Sequence, residues 1–159
     1  MKPDWKNILE FLNRYPRNTH WLLPSCPEER IATVQAELGK MPDALVEMLL
    51  HFNGARLFKK SVPFVSIFGI STIPPLPPLR WAKDWYIDKF TPTWRLGESN
   101  RQTEWPIAMM NYGGLVILEG EDKIKQWDTV QKKWELKHWR FNEWVESILT
   151  SGDSYLKEQ

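Results

Sequence analysis

The chain has 159 residues and very little of several things. It has one cysteine, Cys26, which excludes an intramolecular disulfide and a cysteine-based zinc site. It has no run near the ~18 consecutive apolar residues that span a bilayer. It has no excess of either charge, with 21 Lys and Arg against 20 Asp and Glu, so it is not expected to bind nucleic acid or an anionic membrane. The N-terminal residues Met1 to Lys6 are charged and lack the apolar stretch of a signal peptide, so the expected compartment is the cytoplasm. His20, His51 and His138 stand alone, outside any HExxH-like spacing, and no metal or cofactor is expected.

Catalytic patterns are missing as well. Cys26 has no partner signature for a thiol nucleophile and reads as a small buried residue near a helix start. The adjacent acids Glu28-Glu29 suit a helix N-terminus, and Glu119, Glu121 and Asp122 suit a solvated turn. Gly113-Gly114 lacks the further glycines and the lysine of a phosphate loop. No catalytic residues are assigned, and the expectation is that the chain is not an enzyme.

Against these absences stands a well-punctuated helical corner, Glu37 to Gly54. Gly39 suits the positive φ that closes one helix, and Pro42 suits the start of the next. Leu45, Met48, Leu49 and Phe52 then recur at i, i+3, i+4 and i+7. Asn53-Gly54 supplies the residue types that stop a helix. The same spacing in Trp5, Ile8, Leu9 and Leu12 predicts a first helix over 3–15. Ser25 and Glu28 have capping-box spacing for a second helix over 27–39, with the third over 42–53. Phe141, Trp144, Val145, Ile148 and Leu149 predict a closing helix over 141–151, ended by Ser151-Gly152.

Between the helical ends the chain reads as strand. Trp21 to Leu23 is a short extended piece. Arg56 to Phe58 and Phe64 to Ile70 are rich in aromatic and β-branched residues. Pro106 to Met110, Leu115 to Glu119 and Lys123 to Trp127 are separated by turn-forming residues, and Trp134 to His138 alternates. Helices at the ends and strands between them, without β-α alternation, predict an α+β fold. Its mainly antiparallel sheet is flanked by N-terminal helices and a C-terminal helix, in one domain over 1–159.

The order of these marks resembles the SMI1/KNR4 family, also called the SUKH superfamily. An acidic residue precedes Leu38-Gly39, then come Pro42, an apolar helix and Asn53-Gly54. Tyr112-Gly113-Gly114, Gln126-Trp127-Asp128 and Phe141 to Val145 follow in the family's order. The resemblance implies the same α+β fold and a role in binding proteins, with no catalytic residues to carry over. For bacterial members it implies an immunity protein that neutralises a toxin by direct binding. For eukaryotic members it implies a regulatory or scaffold role in cell-wall signalling. A small hydrolase is the alternative from outside the family.

One stretch stands apart, a Pro- and Trp-rich elaboration over about 74–103. Residues 55–103 hold eight basic and three acidic residues. Four prolines between Pro74 and Pro78 favour polyproline II, and Pro75 to Arg80 has a PxxPxR layout that reads either as a ligand or as a stiff connector. A helix over 81–90 would put Trp81 and Trp85 on one face, either packed on the sheet or presented to a partner. Residues 91–103 read as loop. Arg80, Trp81, Trp85, Tyr86 and Trp94 are the expected partner-binding residues, because arginine and aromatic side chains dominate interface hot spots.

Overall fold

A computed structural model describes residues 2–72, 86–97 and 101–158, excepting the side chains of 136–138. The order is α1 (Trp5–Leu12), β1 (Trp21–Leu22), α2 (Glu28–Leu38), α3 (Asp43–His51), β2 (Ala55–Lys59), β3 (Pro63–Ile67), α4 (Ile87–Arg95), β4 (Glu104–Met110), β5 (Leu115–Glu119), β6 (Lys123–Asp128), β7 (Lys133–Arg140) and α5 (Phe141–Lys157). The seven strands form one sheet in sequence order, each antiparallel to the next. The fold is therefore the α+β arrangement expected, with helices at both ends of the chain packed on a meandering sheet.

The predicted stripes form the core. Leu45, Met48, Leu49 and Phe52 are buried, and Trp5 meets Phe52 and Phe141 edge-on at 5.4 and 5.8 Å. Three helices, α1, α3 and α5, thus share one aromatic contact over the sheet. Edge-to-face geometry favours such pairs beyond the area they bury.

The corner depends on more than helix punctuation. Gly39 and Gly54 take φ of +99° and +93°, as a residue without Cβ can. Asn53, read from sequence as part of a helix stop, is a buried bridge. Its Nδ2 donates to Ile70 O at 2.8 Å, and its Oδ1 accepts from Ile70 N–H at 2.6 Å. The side-chain amide acts as a strand neighbour for residue 70 and ties the end of α3 to the end of β3. Gly69 makes room for it, since a Cβ there would lie 2.3 Å from Asn53 O.

Two local expectations are corrected. The capping box at Ser25 does not form: α2 begins after Pro27, with no side-chain cap, because Ser25 lies too early in the chain to reach the first free N–H groups. The closing helix does not stop at Ser151-Gly152 but continues to Lys157. Gly152 is buried within it, and a Cβ there would lie 2.1 Å from the Phe58 ring, so this glycine serves close packing. Arg140 has no side-chain oxygen to cap α5, yet its N–H donates to Glu143 Oε1 at 3.0 Å and Phe141 N–H donates to Asp122 O at 2.8 Å.

The third correction concerns residues 91–95, which are helix rather than loop. Helix α4 runs from Ile87 to Arg95 with Pro92 inside it. A proline there removes one helical hydrogen bond. Packing outweighs that cost: Ile87, Thr91 and Arg95, each four residues apart, are all buried. Arg95 Nη1 also donates to Leu38 O at 2.6 Å, satisfying a carbonyl at the C-terminal end of α2. Residues 81–85 of the expected helix, and the whole PxxPxR stretch, lie outside the described residues.

Candidate partner-binding surface

The sheet alternates, so Lys125, Trp127 and Trp134 point to the face opposite α5. Trp127 and Trp134 are directly paired across β6 and β7, with ring centroids 5.2 Å apart and edge-on. Trp94 of α4 meets Trp134 edge-on at 5.7 Å, making a row of three half-buried indoles from α4 to the β6–β7 hairpin.

Charged groups hold the row in place. Glu104 at the start of β4 is buried; its Oε1 accepts from Trp94 Nε1–H at 2.9 Å, and its Oε2 accepts from Lys125 Nζ at 2.9 Å. A buried carboxylate needs such charge-assisted partners, and two of them fix its position. Lys125 also lies 4.9 Å from the Trp134 ring. The Arg101 guanidinium sits 4.0 Å over the Trp94 ring and donates to Trp94 O at 3.0 Å. Cations over indoles at such distances are attracted by about 0.5–1 kcal/mol each at exposed sites. The arrangement presents aromatic area already ordered, which is how a surface binds with little entropy loss.

Of the five sequence-predicted partner residues, the structure describes two. Trp94 heads the indole row. Tyr86 is buried beside Leu23, with its phenol pKa raised by burial. Arg80, Trp81 and Trp85 lie outside the described residues. Sequence reasoning passed over Trp127 and Trp134 because it took them as strand residues. Their pairing depends on the hairpin register; the signal was two tryptophans flanking the turn-forming Asp128 to Lys132.

Elsewhere the titratable groups are poorly set for chemistry. His20 Nδ1 accepts from Phe58 N–H at 2.9 Å, so the ring proton sits on Nε2, which is buried and meets no acceptor among the described residues. Burial lowers its pKa to about 4, which leaves it a neutral packing group, edge-on to Tyr15 and Phe58. Burial raises the Cys26 thiol to about 11, far from a thiolate at neutral pH. His51 is exposed at the end of α3, with Nδ1 2.8 Å from Glu47 O. Among the described residues no three His, Cys, Asp or Glu side chains converge as a metal site requires. No helix among them is long and apolar enough to cross a membrane.

The family model for the SMI1 / KNR4 family (SUKH-1) matches residues 25–147, from just before α2 into α5. That span includes the Asn53 bridge, Glu104 and all three indoles of the row. No curated protein matches the chain. With the family's helical corner, hairpin sheet and closing helix all in place, the chain belongs to the SMI1/KNR4 (SUKH) family.

Proposed function

We propose that the chain is an immunity protein, one SUKH-type domain over 1–159 that neutralises a bacterial toxin by binding it directly in the cytoplasm, without catalysis. The observation that carries this reading is the ordered row Trp94, Trp134 and Trp127 with Arg101 and Lys125 upon it. Such a surface suits a protein partner. Arg80, Trp81 and Trp85, from the basic stretch that precedes α4, are proposed as further partner contacts, whereas Tyr86 is buried and offers none. The near-neutral total charge does not favour a strongly basic nuclease as the toxin.

The test is to express the chain with the toxin encoded beside it, scoring growth and isolating the complex. Rescue of growth together with a stable complex is expected. Trp85→Ala should weaken that complex by about 2 kcal/mol or more, as hot-spot truncations do, without moving the melting midpoint. Replacing His20, His51, His138 and Cys26 by Ala should leave protection intact. Loss of protection by that variant, with folding and toxin binding retained, would instead identify an enzyme. The absence of any neighbouring toxin gene would favour the regulatory scaffold.

A further inference from the structure

Three of the large apolar side chains left exposed among the described residues occupy three turns at one end of the sheet. Val62 lies between β2 and β3 at 49% exposure, Tyr112 between β4 and β5 at 49%, and Val130 between β6 and β7 at 89%. Strict antiparallel order puts these turns on the same end. From β2 to β7 is five strand spacings, about 24 Å, on the scale of a standard protein–protein patch.

The tips are held in place. Tyr112 Oη accepts from Gln126 Nε2, and Gln126 Oε1 accepts from the buried Trp144 Nε1–H at 3.3 Å, which ties the tip to the core. Gly114 permits this, since a Cβ there would lie 2.6 Å from the Tyr112 ring. Asp128 Oδ1 accepts from the N–H groups of Val130 and Gln131, both at 2.9 Å, and this turn presents Val130 outward. Asn111 N–H donates to Phe64 O at 2.9 Å, joining the first two turns.

Between those two turns is a cavity of about 320 Å³, lined by Val62, Pro63, Ser66, Met109, Met110 and Gly113 among others. Two methionines make its wall adaptable to the shape of an inserted side chain. Around the tips stand Lys59, Lys60, Lys132 and Lys133, against the carboxylates of Asp128 and Glu135. Lys59 rests 3.4 Å over the Trp21 ring and Lys60 4.9 Å over the Tyr155 ring, so both stems are already ordered.

We propose that this hairpin end is a docking surface for an acidic protein segment with an apolar anchor, the anchor filling the cavity beside Met109 and the carboxylates meeting the lysines. A second copy of the chain fits less well, because it would bring one lysine-rich end against another. The inference rests on the reading of the chain as a protein-binding domain.

The full chain, labelled with ¹⁵N, is titrated with a short acidic peptide carrying a central leucine, and with a counterpart whose acidic residues are lysines. The amides of Val62, Asn111, Gly113 and Val130 should shift with the acidic peptide alone, less so at high salt. Affinity should fall about tenfold or more in Val62→Asp and in Lys132→Glu with Lys133→Glu, with unchanged melting midpoints. No shift at the turns, an equal response to both peptides, or shifts confined to residues away from the turns would overturn the proposal, as would a dimer formed through the tips. The toxin assay separates the two readings. Should both variants keep the acidic peptide at full affinity while the chain still binds toxin and protects, the docking surface falls and the immunity reading stands. Should the chain bind no toxin at all, the immunity reading falls and the titration still decides the tips.

Discussion

Where β3 leaves the sheet and β4 enters it, buried polar side chains close the fold; at the opposite end, short turns close it and leave apolar tips in solvent. The first end holds Asn53 on Ile70, Asp88 with Arg30 and Ser71, Arg95 on Leu38 O, and Glu104 between Trp94 and Lys125. Each satisfies a group that burial would otherwise leave unpaired, so each specifies how α2, α3 and α4 meet the sheet. The second end has loops of a few residues and leaves Val62, Tyr112 and Val130 in solvent. Substitution at the polar end should therefore cost stability, and substitution at the hairpin end should cost binding.

The largest effect is expected at Asn53. Asn53→Ala removes both partners of Ile70 in a buried place and should destabilise the fold by about 3 kcal/mol, on the scale of 1–3 kcal/mol per unsatisfied group. Denaturant unfolding measures it. A loss below about 1 kcal/mol, less than one unsatisfied group costs, would break the comparison, since the polar end would then be no more demanding than the turns.

A smaller effect should appear with pH beneath the hairpin end, at His20. Its folded pKa of about 4 lies below the ordinary 6.5, so the unfolded chain takes up the proton first. The stability this neutral ring contributes is full above pH 6.5 and declines as pH falls from there toward 4, where the folded ring also protonates. Nearby Asp153 is held below the usual carboxylate value by Lys157 and then Tyr15, so it titrates beneath this window. His20→Asn keeps an acceptor for Phe58 N–H and should flatten the profile between pH 6.5 and 4. Parallel melting curves for the two proteins across that window would show that burial does not hold the ring neutral.

The smallest effect is expected at the tips. Val130→Ser removes an apolar group that contacts mostly water and should change stability by less than about 0.5 kcal/mol. A thermal melt is enough to check it. A loss near that of Asn53→Ala would mean the turn is part of the core, erasing the contrast between the two ends.

The sequence alone determined the strands, most of the core and the helices other than the end of α4 and the last turns of α5. Their apolar spacing of 3.6 or 2 residues is a local property, and Leu45, Met48, Leu49 and Phe52 lie buried where their period placed them. The ordered marks from Leu38-Gly39 to Phe141 also carried the family, because each marks a local turn or cap. Only the tertiary structure decided what distant residues do for one another. Asn53 and Gly152 looked like helix stops, and their roles depend on Ile70 and Phe58, 17 and 94 positions away in the chain. Residues 91–95 looked like loop because Pro92 breaks the local pattern, and burial of Thr91 and Arg95 against their neighbours overrides it. The indole row and the three apolar tips were equally hidden. They exist only once strand register sets Trp127 opposite Trp134 and sequential antiparallel order turns three hairpins to one end, and register and order are settled by packing across the whole sheet.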